Sequence, residues 1–494
     1  MSKKYLLLLL FVIAFNPVFA QNKADAKLPK LAKFKDYAED LKDDDNDLRN
    51  AVWSVAVADA KTGKFLFEYN SNISLLPASN MKIVTTGVGL LLLGADYNFK
   101  TKLEYTGNIT DSVLDGDIYI VGGGDPSLGS AIYQNTVPDS VFYKWTQAIK
   151  QLGVKQINGK IIGDTRFFDD ENRHGSWEFD DIGTDYGAGV SGIQFMDNMC
   201  KLHIESAANV DKKPNITKVE PYIPEISWEN YLTSTDSVND AGVSLYSSPY
   251  SARALLLGKV LTKSRSKTIS AAIPNPAYTC VWYFNKYLNQ NGITTSNRTE
   301  ILERSSQNQT LTATHFYTYT SPVLTEIIHE TNKSSNNSFA ETILKTIGAE
   351  LGNNGSTYDG RKLLAKKLEE LNIATDGFQQ SDGSGLSRHG FVTTKFLCEY
   401  LSAMYNNAEY ENFVQSLPVA GVDGTMKNML KNTAAEGNVK AKSGSLSGVR
   451  SYSGYVTTQS GVDLCFSFIF NNFTCKSAVI TKKMERLMII LAEN

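Results

Sequence analysis

Strand and helix patterns at the two ends of the chain enclose a long middle region of different character. Near the start, residues 51–69 predict a hairpin, and an apolar helical pattern follows it. From about residue 271 amphipathic helical periods return, and strands and a final helix of residues 476–492 follow. Between about residues 97 and 270, short strand patterns alternate with turns. A sheet with strands from both ends would be one α+β domain interrupted by an insertion.

The 494 residues therefore divide into three predicted parts. Residues 1–20 hold two lysines, a short apolar run and Val18-Phe19-Ala20, which is the pattern of a cleaved secretory signal peptide. The apolar run is too short to span a bilayer as a helix, and an uncleaved anchor is the alternative. Residues 21–96 and 271–494 are predicted to form one discontinuous domain. Residues 97–270 are predicted to form a β-rich insertion of two subdomains.

Charge and composition exclude several classes of function. The formal net charge is −3, and it becomes −5 when residues 1–20 and their two lysines are removed. This balance argues against a general nucleic-acid binder, which would carry a basic patch. The five cysteines match no metal-binding spacing, and their odd number leaves at least one thiol free. The five histidines form no paired ligand spacing. We therefore expect neither a metal nor another cofactor.

The apolar helical pattern near the start opens with Ser79-Asn80-Met81-Lys82. Three residues are nearly one helical turn, so the hydroxyl of Ser79 and the amine of Lys82 are expected on one face. A serine hydroxyl is a poor nucleophile at its own pKa, and a nearby amine can activate it. The alternative is that Ser79 only caps the helix. A second Ser-x-x-Lys match, residues 264–267, lies in a polar stretch and is predicted to be a solvated loop.

Two later motifs carry groups that such a site needs. Ser335 and Asn337 lie two residues apart before a predicted helix, where a hydroxyl can relay a proton and an amide can donate and accept. Lys442-Ser443-Gly444 begins a predicted strand. There the lysine supplies positive charge, and the glycine would let a substrate backbone approach closely. The alternatives are helix capping for the first motif and a strand-end lysine for the second.

The order Ser-x-x-Lys, Ser-x-Asn, Lys-Ser-Gly resembles that of the penicillin-binding proteins and serine β-lactamases. Four longer segments resemble the D-alanyl-D-alanine carboxypeptidases within that superfamily. They are Pro77-Ala78-Ser79-Asn80-Met81-Lys82, Ser335 to Glu341, Asp382-Gly383-Ser384-Gly385-Leu386-Ser387-Arg388, and Leu417 to Met426. Gly123-Gly124-Asp125-Pro126 and the long gap between the first two motifs are similar to the penicillin-binding protein 4 group.

This resemblance implies a transpeptidase-like α+β domain, with an antiparallel sheet flanked by helices and large β-rich insertions. It implies hydrolysis of peptidoglycan stem peptides or cross-links through an ester on the first serine, with β-lactams as covalent inhibitors. The implied catalytic residues are Ser79, Lys82, Ser335, Asn337 and Lys442, and the implied substrate-binding residues are Ser443, Gly444 and Ser445. The backbone N–H groups of Ser79 and Ser445 would form the oxyanion hole.

The resemblance also implies a location in the bacterial cell envelope, periplasmic or secreted. Loose association with the membrane or the cell wall stays open, and so does the balance between carboxypeptidase and endopeptidase activity. A β-lactamase or esterase, or a catalytically silent cell-wall-binding protein, are the alternative functions. Two residues depart from the family pattern. Asn336 stands where the family often has aspartate, and Ser443 replaces the usual threonine of Lys-Thr-Gly.

Overall fold

The computed structural model describes residues 28–224, 226–249, 251–262, 266–306 and 312–494. The predicted signal peptide lies outside these ranges, and so do the first two residues of the second Ser-x-x-Lys match. The helices are α1 (Ala32–Asp43), α2 (Met81–Leu93), α3 (Pro138–Gln151), α4 (Pro276–Gln290), α5 (Leu324–Lys333), α6 (Asn337–Leu351), α7 (Thr357–Glu370), α8 (Thr394–Tyr405), α9 (Tyr410–Ser416) and α10 (Ser477–Ala492). Among these described helices, none has the length and apolar character that crossing a membrane requires.

The strands are two to ten residues long, and the two shortest, β7 and β15, belong to the middle region. The strands are β1 (Val52–Asp59), β2 (Phe65–Tyr69), β3 (Asn98–Tyr105), β4 (Asn108–Thr110), β5 (Val113–Asp115), β6 (Ile118–Val121), β7 (Gln156–Ile157), β8 (Ile161–Asp164), β9 (Met199–Glu205), β10 (Asn215–Glu220), β11 (Ser227–Thr235), β12 (Gly242–Tyr246), β13 (Arg253–Leu261), β14 (Lys267–Ala272), β15 (Thr294–Thr295), β16 (Thr299–Leu302), β17 (Thr314–Val323), β18 (Lys440–Leu446), β19 (Val449–Thr457) and β20 (Asp463–Asn471).

The main antiparallel sheet joins the two ends of the chain. Its strand order is β18-β19-β20-β1-β2, so the early hairpin lies beside three strands from the end. Val52 of β1 lies opposite Asn471 of β20, and the pairing continues along the whole of β1. The α+β class predicted from the sequence is confirmed.

Both faces of this sheet are covered by helices. Successive side chains of a strand point to opposite faces. Val55 and Val57 of β1 accordingly pack into an apolar core with α1 and α10. Ala56 and Ala58 face a second core, which is built with α2 and α5 to α9. The sheet therefore forms the middle layer, and α2, which follows the Ser79 turn, lies buried against it.

The middle region is built on two separate apolar cores. The sheets β16-β8-β6-β3-β17 and β15-β7-β5-β4 pack with α3 and α4 around Trp145 and Phe284. The sheets β10-β9-β14 and β11-β13-β12 enclose Leu202 and Leu256. Because β16 pairs with β8 and β17 with β3, the strand pairing favours an insertion that ends near residue 323 rather than residue 270. The amphipathic period of α4 does not reveal which core that helix joins.

Candidate active site

Ser79 lies in a 3-10 turn, Ala78–Asn80, that leads directly into α2. Its side chain caps neither helix, so the capping alternative does not describe this residue. Ala78 has a φ of 48°, a left-handed conformation that costs a non-glycine residue roughly 1–2 kcal/mol. The Ser451 hydroxyl donates to the Pro77 carbonyl at 2.6 Å and fastens the turn to β19. A strained backbone thus presents the Ser79 hydroxyl.

The amine of Lys82 is the group nearest to that hydroxyl. Its Nζ donates to Ser79 Oγ at 2.9 Å, to Asn337 Oδ1 at 2.6 Å and to the Ser384 carbonyl at 2.9 Å. Lys82 is fully buried, and this burial lowers its pKa to about 7. The carboxylates of Asp382 and Glu341 oppose the shift. Near neutral pH the amine is therefore partly uncharged and able to accept a proton.

The main cause of this low pKa is the removal of water around Lys82. Lys442 is itself fully buried, and its pKa is lowered well below the ordinary value, first by burial and then by the charge of Lys82. Both amines are thus shifted toward the neutral form. A bound carboxylate would restore the positive charge of Lys442.

Ser335 and Asn337 come to the same cleft from the loop before α6. Ser335 Oγ accepts from Lys442 Nζ at 2.9 Å, and its φ of 63° is left-handed. The residue between them, Asn336, is the helix cap, since its side chain accepts from Phe339 N at 3.2 Å. Asparagine and aspartate cap equally well, which explains why the departure at Asn336 leaves this loop intact.

Asn337 is occupied at both ends of its amide. Its Oδ1 accepts from Lys82, and its Nδ2 donates to the Tyr186 carbonyl of the insertion at 2.8 Å. A contact between Asn337 Nδ2 and a substrate would therefore require Nδ2 to exchange the Tyr186 carbonyl for the substrate. In the described geometry Asn337 orients Lys82 instead.

A pair of buried acids lies behind Lys82, and sequence reasoning gave neither of them a role. Glu341 on α6 accepts from Gly383 N at 2.9 Å and from Ser384 N at 2.8 Å, which fixes the carbonyl that binds Lys82. Burial, together with the neighbouring Asp382, raises the pKa of Glu341 to about 8. Trp177 of the insertion donates its Nε1 to Asp382 at 2.8 Å. The signal that could have found Glu341 is an acid within the apolar pattern of α6.

Strand β18 supplies the opposite wall of the cleft and is the edge of the main sheet. Ala441 N donates outward to the Pro418 carbonyl at 2.9 Å. Because backbone groups alternate in direction along an antiparallel strand, the N–H and C=O of Ser443 and Ser445 also point outward. The Ser443 carbonyl accepts from Lys442 Nζ at 2.8 Å. Ser445 therefore presents an outward N–H group at the edge strand beside Ser79.

Gly444 lies directly against the Ser79 turn. A Cβ at this position would lie 2.5 Å from the Pro77 carbonyl oxygen, 3.1 Å from Ser79 N and 2.2 Å from Ser451 Oγ. The missing side chain thus lets the Ser79 turn approach β18. Gly444 sets the separation between the nucleophile and the edge strand.

The cleft between these elements has a volume of about 550 Å³. Ser79, Ser335 and Asn337 line it together with residues of the insertion, of the loop after Asp382 and of the end of β18, namely Glu178, Asp180, Asp181, Tyr186, Gly385, Leu386, Arg388, Ser445, Leu446 and Ser447. The carboxylates of Glu178, Asp180 and Asp181 come within 4.8 Å of one another. Arg388 pairs with Glu178 at 2.9 Å. Ser79, Lys82, Ser335, Asn337, Lys442, Ser443, Gly444 and Ser445 are thus brought to one cleft.

Fold and cleft together define a serine hydrolase with a lysine in place of histidine. Residues 35–494 match the D-Ala-D-Ala carboxypeptidase 3 (S13) family. The chain belongs to this family, and the family membership and the serine D-Ala-D-Ala carboxypeptidase class predicted from its motifs are confirmed.

Relatives of known name cover most of the chain. It is 29% identical over 463 residues to a D-alanyl-D-alanine carboxypeptidase of Actinomadura sp.. This alignment covers 91% of this chain and 82% of the relative. It is 23% identical over 414 residues to the D-alanyl-D-alanine carboxypeptidase DacB of Haemophilus influenzae, with 83% of each covered. The crystal structure of penicillin binding protein 4 (dacB) from Haemophilus influenzae matches with a TM-score of 0.80 at 22% identity, over 93% of this chain and 99% of that one. This structural match supports the predicted fold.

Proposed function

We propose that the protein removes the terminal D-alanine from peptidoglycan peptides ending in D-alanyl-D-alanine, through an ester on Ser79. The observation that carries this proposal is the 2.9 Å contact between Ser79 Oγ and Lys82 Nζ. Burial lowers the pKa of this lysine to about 7. A general base is most effective when its pKa lies near the working pH. No other group of the described cleft combines this contact with such a pKa.

In the first step, Ser79 Oγ attacks the carbonyl between the two D-alanines while Lys82 accepts the hydroxyl proton. The negative oxygen that forms accepts hydrogen bonds from Ser79 N–H and from the outward N–H of Ser445. When the C–N bond breaks, the proton held by Lys82 passes through the Ser335 hydroxyl to the leaving amine, and Lys82 becomes neutral again. Lys442 polarises this hydroxyl from 2.9 Å. The terminal D-alanine leaves, and the remaining acyl group stays on Ser79 as an ester.

In the second step, a water molecule attacks the ester carbon while Lys82 accepts one of its protons. The bond between the acyl carbon and Ser79 Oγ then breaks, and Lys82 returns this proton to the serine oxygen. A β-lactam would form the same ester by opening its ring, so it keeps its leaving group tethered. We expect β-lactams to inhibit the protein covalently for this reason.

The substrate backbone would add to the open edge of β18 as a further strand. Lys442, once charged, and the hydroxyl of Ser443 would hold the terminal carboxylate. The acidic wall formed by Glu178, Asp180 and Asp181 favours a peptide with an amino group on the residue before the D-alanines. All three residues of this wall belong to the insertion.

The test is acylation by a fluorescent penicillin, followed by D-alanine release from a D-alanyl-D-alanine peptide. The wild type should be labelled at one site and should release D-alanine. Ser79→Ala should do neither, while Ser445→Ala, which keeps the backbone N–H, should still be labelled. Release of D-alanine by Ser79→Ala at a near wild-type rate would contradict the proposed mechanism.

Two alternatives give other results in the same assay. A β-lactamase or esterase would turn over nitrocefin continuously, whereas the proposed enzyme gives a single stoichiometric burst. A silent cell-wall-binding protein would bind peptidoglycan without any labelling. Cleavage of isolated cross-linked peptides would add the endopeptidase activity to the proposal.

We place this activity in the cell envelope. The pattern of residues 1–20 supports export with removal of a signal peptide, as does a substrate that lies outside the cytoplasm. Mass determination of the mature protein from a periplasmic extract would show whether the first twenty residues are absent.

A further inference from the structure

Ser443 stands where the family has threonine, and in this chain its hydroxyl has a partner. Ser443 Oγ and Thr425 Oγ1 lie 2.7 Å apart, and either oxygen can donate to the other. Thr425 comes from the segment Leu417–Met426, which sequence reasoning used only as a mark of the family. Its side chain is exposed, and that of Ser443 is half-buried.

A serine and a threonine present their hydroxyl groups with different precision. The γ-methyl of threonine restricts rotation about χ1, whereas the hydroxymethyl group of serine can occupy three staggered positions. A hydroxyl intended for a carboxylate must stay in the one position that faces it. Without the methyl group, Ser443 requires an external contact to hold that position.

We propose that Thr425 is a positioning residue that holds the Ser443 hydroxyl toward the terminal carboxylate of the substrate. This proposal rests on the proposed function, because it needs a substrate with a free carboxylate beside Lys442. A carboxylate accepts hydrogen bonds only, so Ser443 must give its single proton to the substrate. The Ser443 oxygen then accepts from Thr425, and the two hydroxyls form one directed chain.

Thr425 is itself firmly held, as a positioning residue must be. The neighbouring Met426 is fully buried, and its carbonyl accepts from Gly421 N at 3.0 Å. Two residues before Thr425, Asp423 accepts from Lys333 Nζ at 2.8 and 2.7 Å. The same amine donates to the Leu417 carbonyl at 2.6 Å. Lys333 closes α5, directly before the Ser335 loop, so one ion pair fixes the positions of Thr425 and of that loop.

The segment also runs beside β18 up to the point where the cleft opens. Val419 forms a bridge with Lys440, and Ala441 N donates to the Pro418 carbonyl at 2.9 Å. Beyond Ala441 the strand edge is free for the substrate. Thr425 therefore occupies the boundary between the paired part of the edge and the proposed substrate-binding part, where a C-terminal carboxylate would lie.

The experiment compares Thr425→Val with Thr425→Ser on two peptides, one ending in D-alanyl-D-alanine and one with its terminal carboxylate converted to an amide. For the free acid, Thr425→Val should lower kcat/KM about ten-fold through KM, with kcat changed less than about three-fold, which is the value of one hydrogen bond to a charged group. Thr425→Ser keeps the hydroxyl and should retain most of the activity. The amide should show little difference between the variants.

Rescue provides the sharpest comparison. The double variant Thr425→Val/Ser443→Thr regains a γ-methyl at the second position and should recover most of the lost kcat/KM. An equal loss on the acid and the amide, an unchanged KM in Thr425→Val, or a double variant as weak as the single one would each overturn the proposal. A wild type that is inert towards both peptides and penicillin would instead overturn the proposed function on which it rests.

Discussion

At the residue scale, Lys82 shows how burial lets a lysine amine accept a proton near neutral pH. Its amine makes three hydrogen bonds, so its position is fixed, while burial lowers its pKa to about 7. The surroundings of Lys82 act in opposite directions on its pKa: burial lowers it, whereas the nearby carboxylates of Asp382 and Glu341 stabilise the charged amine and raise it. Glu341 lessens this conflict, because burial and the neighbouring Asp382 raise its pKa and so favour its neutral form.

The pH dependence of acylation should report this pKa. Only the neutral amine accepts the proton of Ser79, and lowering the pH below about 7 protonates it. The second-order rate constant for penicillin acylation should therefore rise with pH through about 7 and level off above it, since this constant reports the free enzyme. Stopped-flow fluorescence from pH 5.5 to 9 measures it. A flat profile, or a rise centred near the ordinary lysine pKa, would contradict the assignment.

Gly444 allows a second prediction at this scale. In Gly444→Ala the new methyl group meets the Pro77 carbonyl at 2.5 Å and pushes the Ser79 turn away from β18. We expect penicillin acylation to fall at least about 100-fold, because small displacements of reacting groups have effects of this size. Overpacking should also lower the free energy of unfolding by about 1–3 kcal/mol.

Gly390→Ala is the matched control for this change. A Cβ there meets its nearest atoms at 3.6 Å, which is ordinary van der Waals contact. It should leave both acylation and thermal stability near those of the wild type. Normal acylation in Gly444→Ala would show that the turn and the strand can separate without loss of the oxyanion site.

At the element scale, the insertion contributes to the site as well as covering it. Trp177 reaches from the insertion to Asp382, and Gln194 reaches to Thr342 of α6 at 2.7 Å. Lys345 of α6 pairs with Asp169 at 2.6 Å from the other side. The loop that supports Lys82 is thus braced by residues that lie more than 150 positions earlier in the chain.

Trp177→Phe removes the hydrogen bond to Asp382 while keeping an aromatic ring. Asp382 is fully buried, so a lost donor there should cost about 1–3 kcal/mol in the free energy of unfolding. We also expect kcat/KM to fall several-fold, because the loop carrying the Ser384 carbonyl is less fixed. Urea denaturation and D-alanine release measure the two effects.

Trp145→Phe serves as the comparison, since its buried Nε1 has no hydrogen-bond partner among the described residues. It should lower stability through lost packing in the core of the insertion but leave kcat/KM unchanged. Equal kinetic effects of the two substitutions would show that Trp177 acts only through general stability.

How far the sequence predicts this structure depends on the distance over which each signal acts. The Ser79–Lys82 pair is local, since helix geometry alone brings the two side chains together. The three motifs were predicted to meet only because their order resembles a family. Periodicity could not assign α4 to the insertion, nor show that Asn337 is engaged at both ends. The Thr425–Ser443 contact and the space beside Gly444 depend on tertiary packing, which no local pattern encodes.

At the scale of the whole molecule, the main sheet needs both ends of the chain. The motif residues lie between Ser79 and Ser445, yet the strand that joins β19 to β1 is β20, near the end. A chain that stops at residue 459 contains each motif but lacks β20 and α10. Without them β19 and β1 lose the strand that pairs with both, and the sheet face that packs against α10 loses part of its cover.

We expect this truncated chain to show no labelling by fluorescent penicillin and to be recovered mainly as aggregate. A chain that lacks only residues 493 and 494 should be labelled like the wild type, because both follow α10. Labelling and the soluble fraction after expression measure the difference. A soluble, labelled protein ending at residue 459 would show that β18 and β19 reach the Ser79 turn without β20.

The pairing of β1 with β20 also delays the appearance of activity during synthesis. The nucleophile leaves the ribosome more than 380 residues before β20 is available to complete the sheet. At usual elongation speeds this interval is on the order of tens of seconds. Long-range pairing of this kind also slows folding after release. We therefore expect that the growing chain does not react with peptides or antibiotics until β20 has paired with β1 and β19.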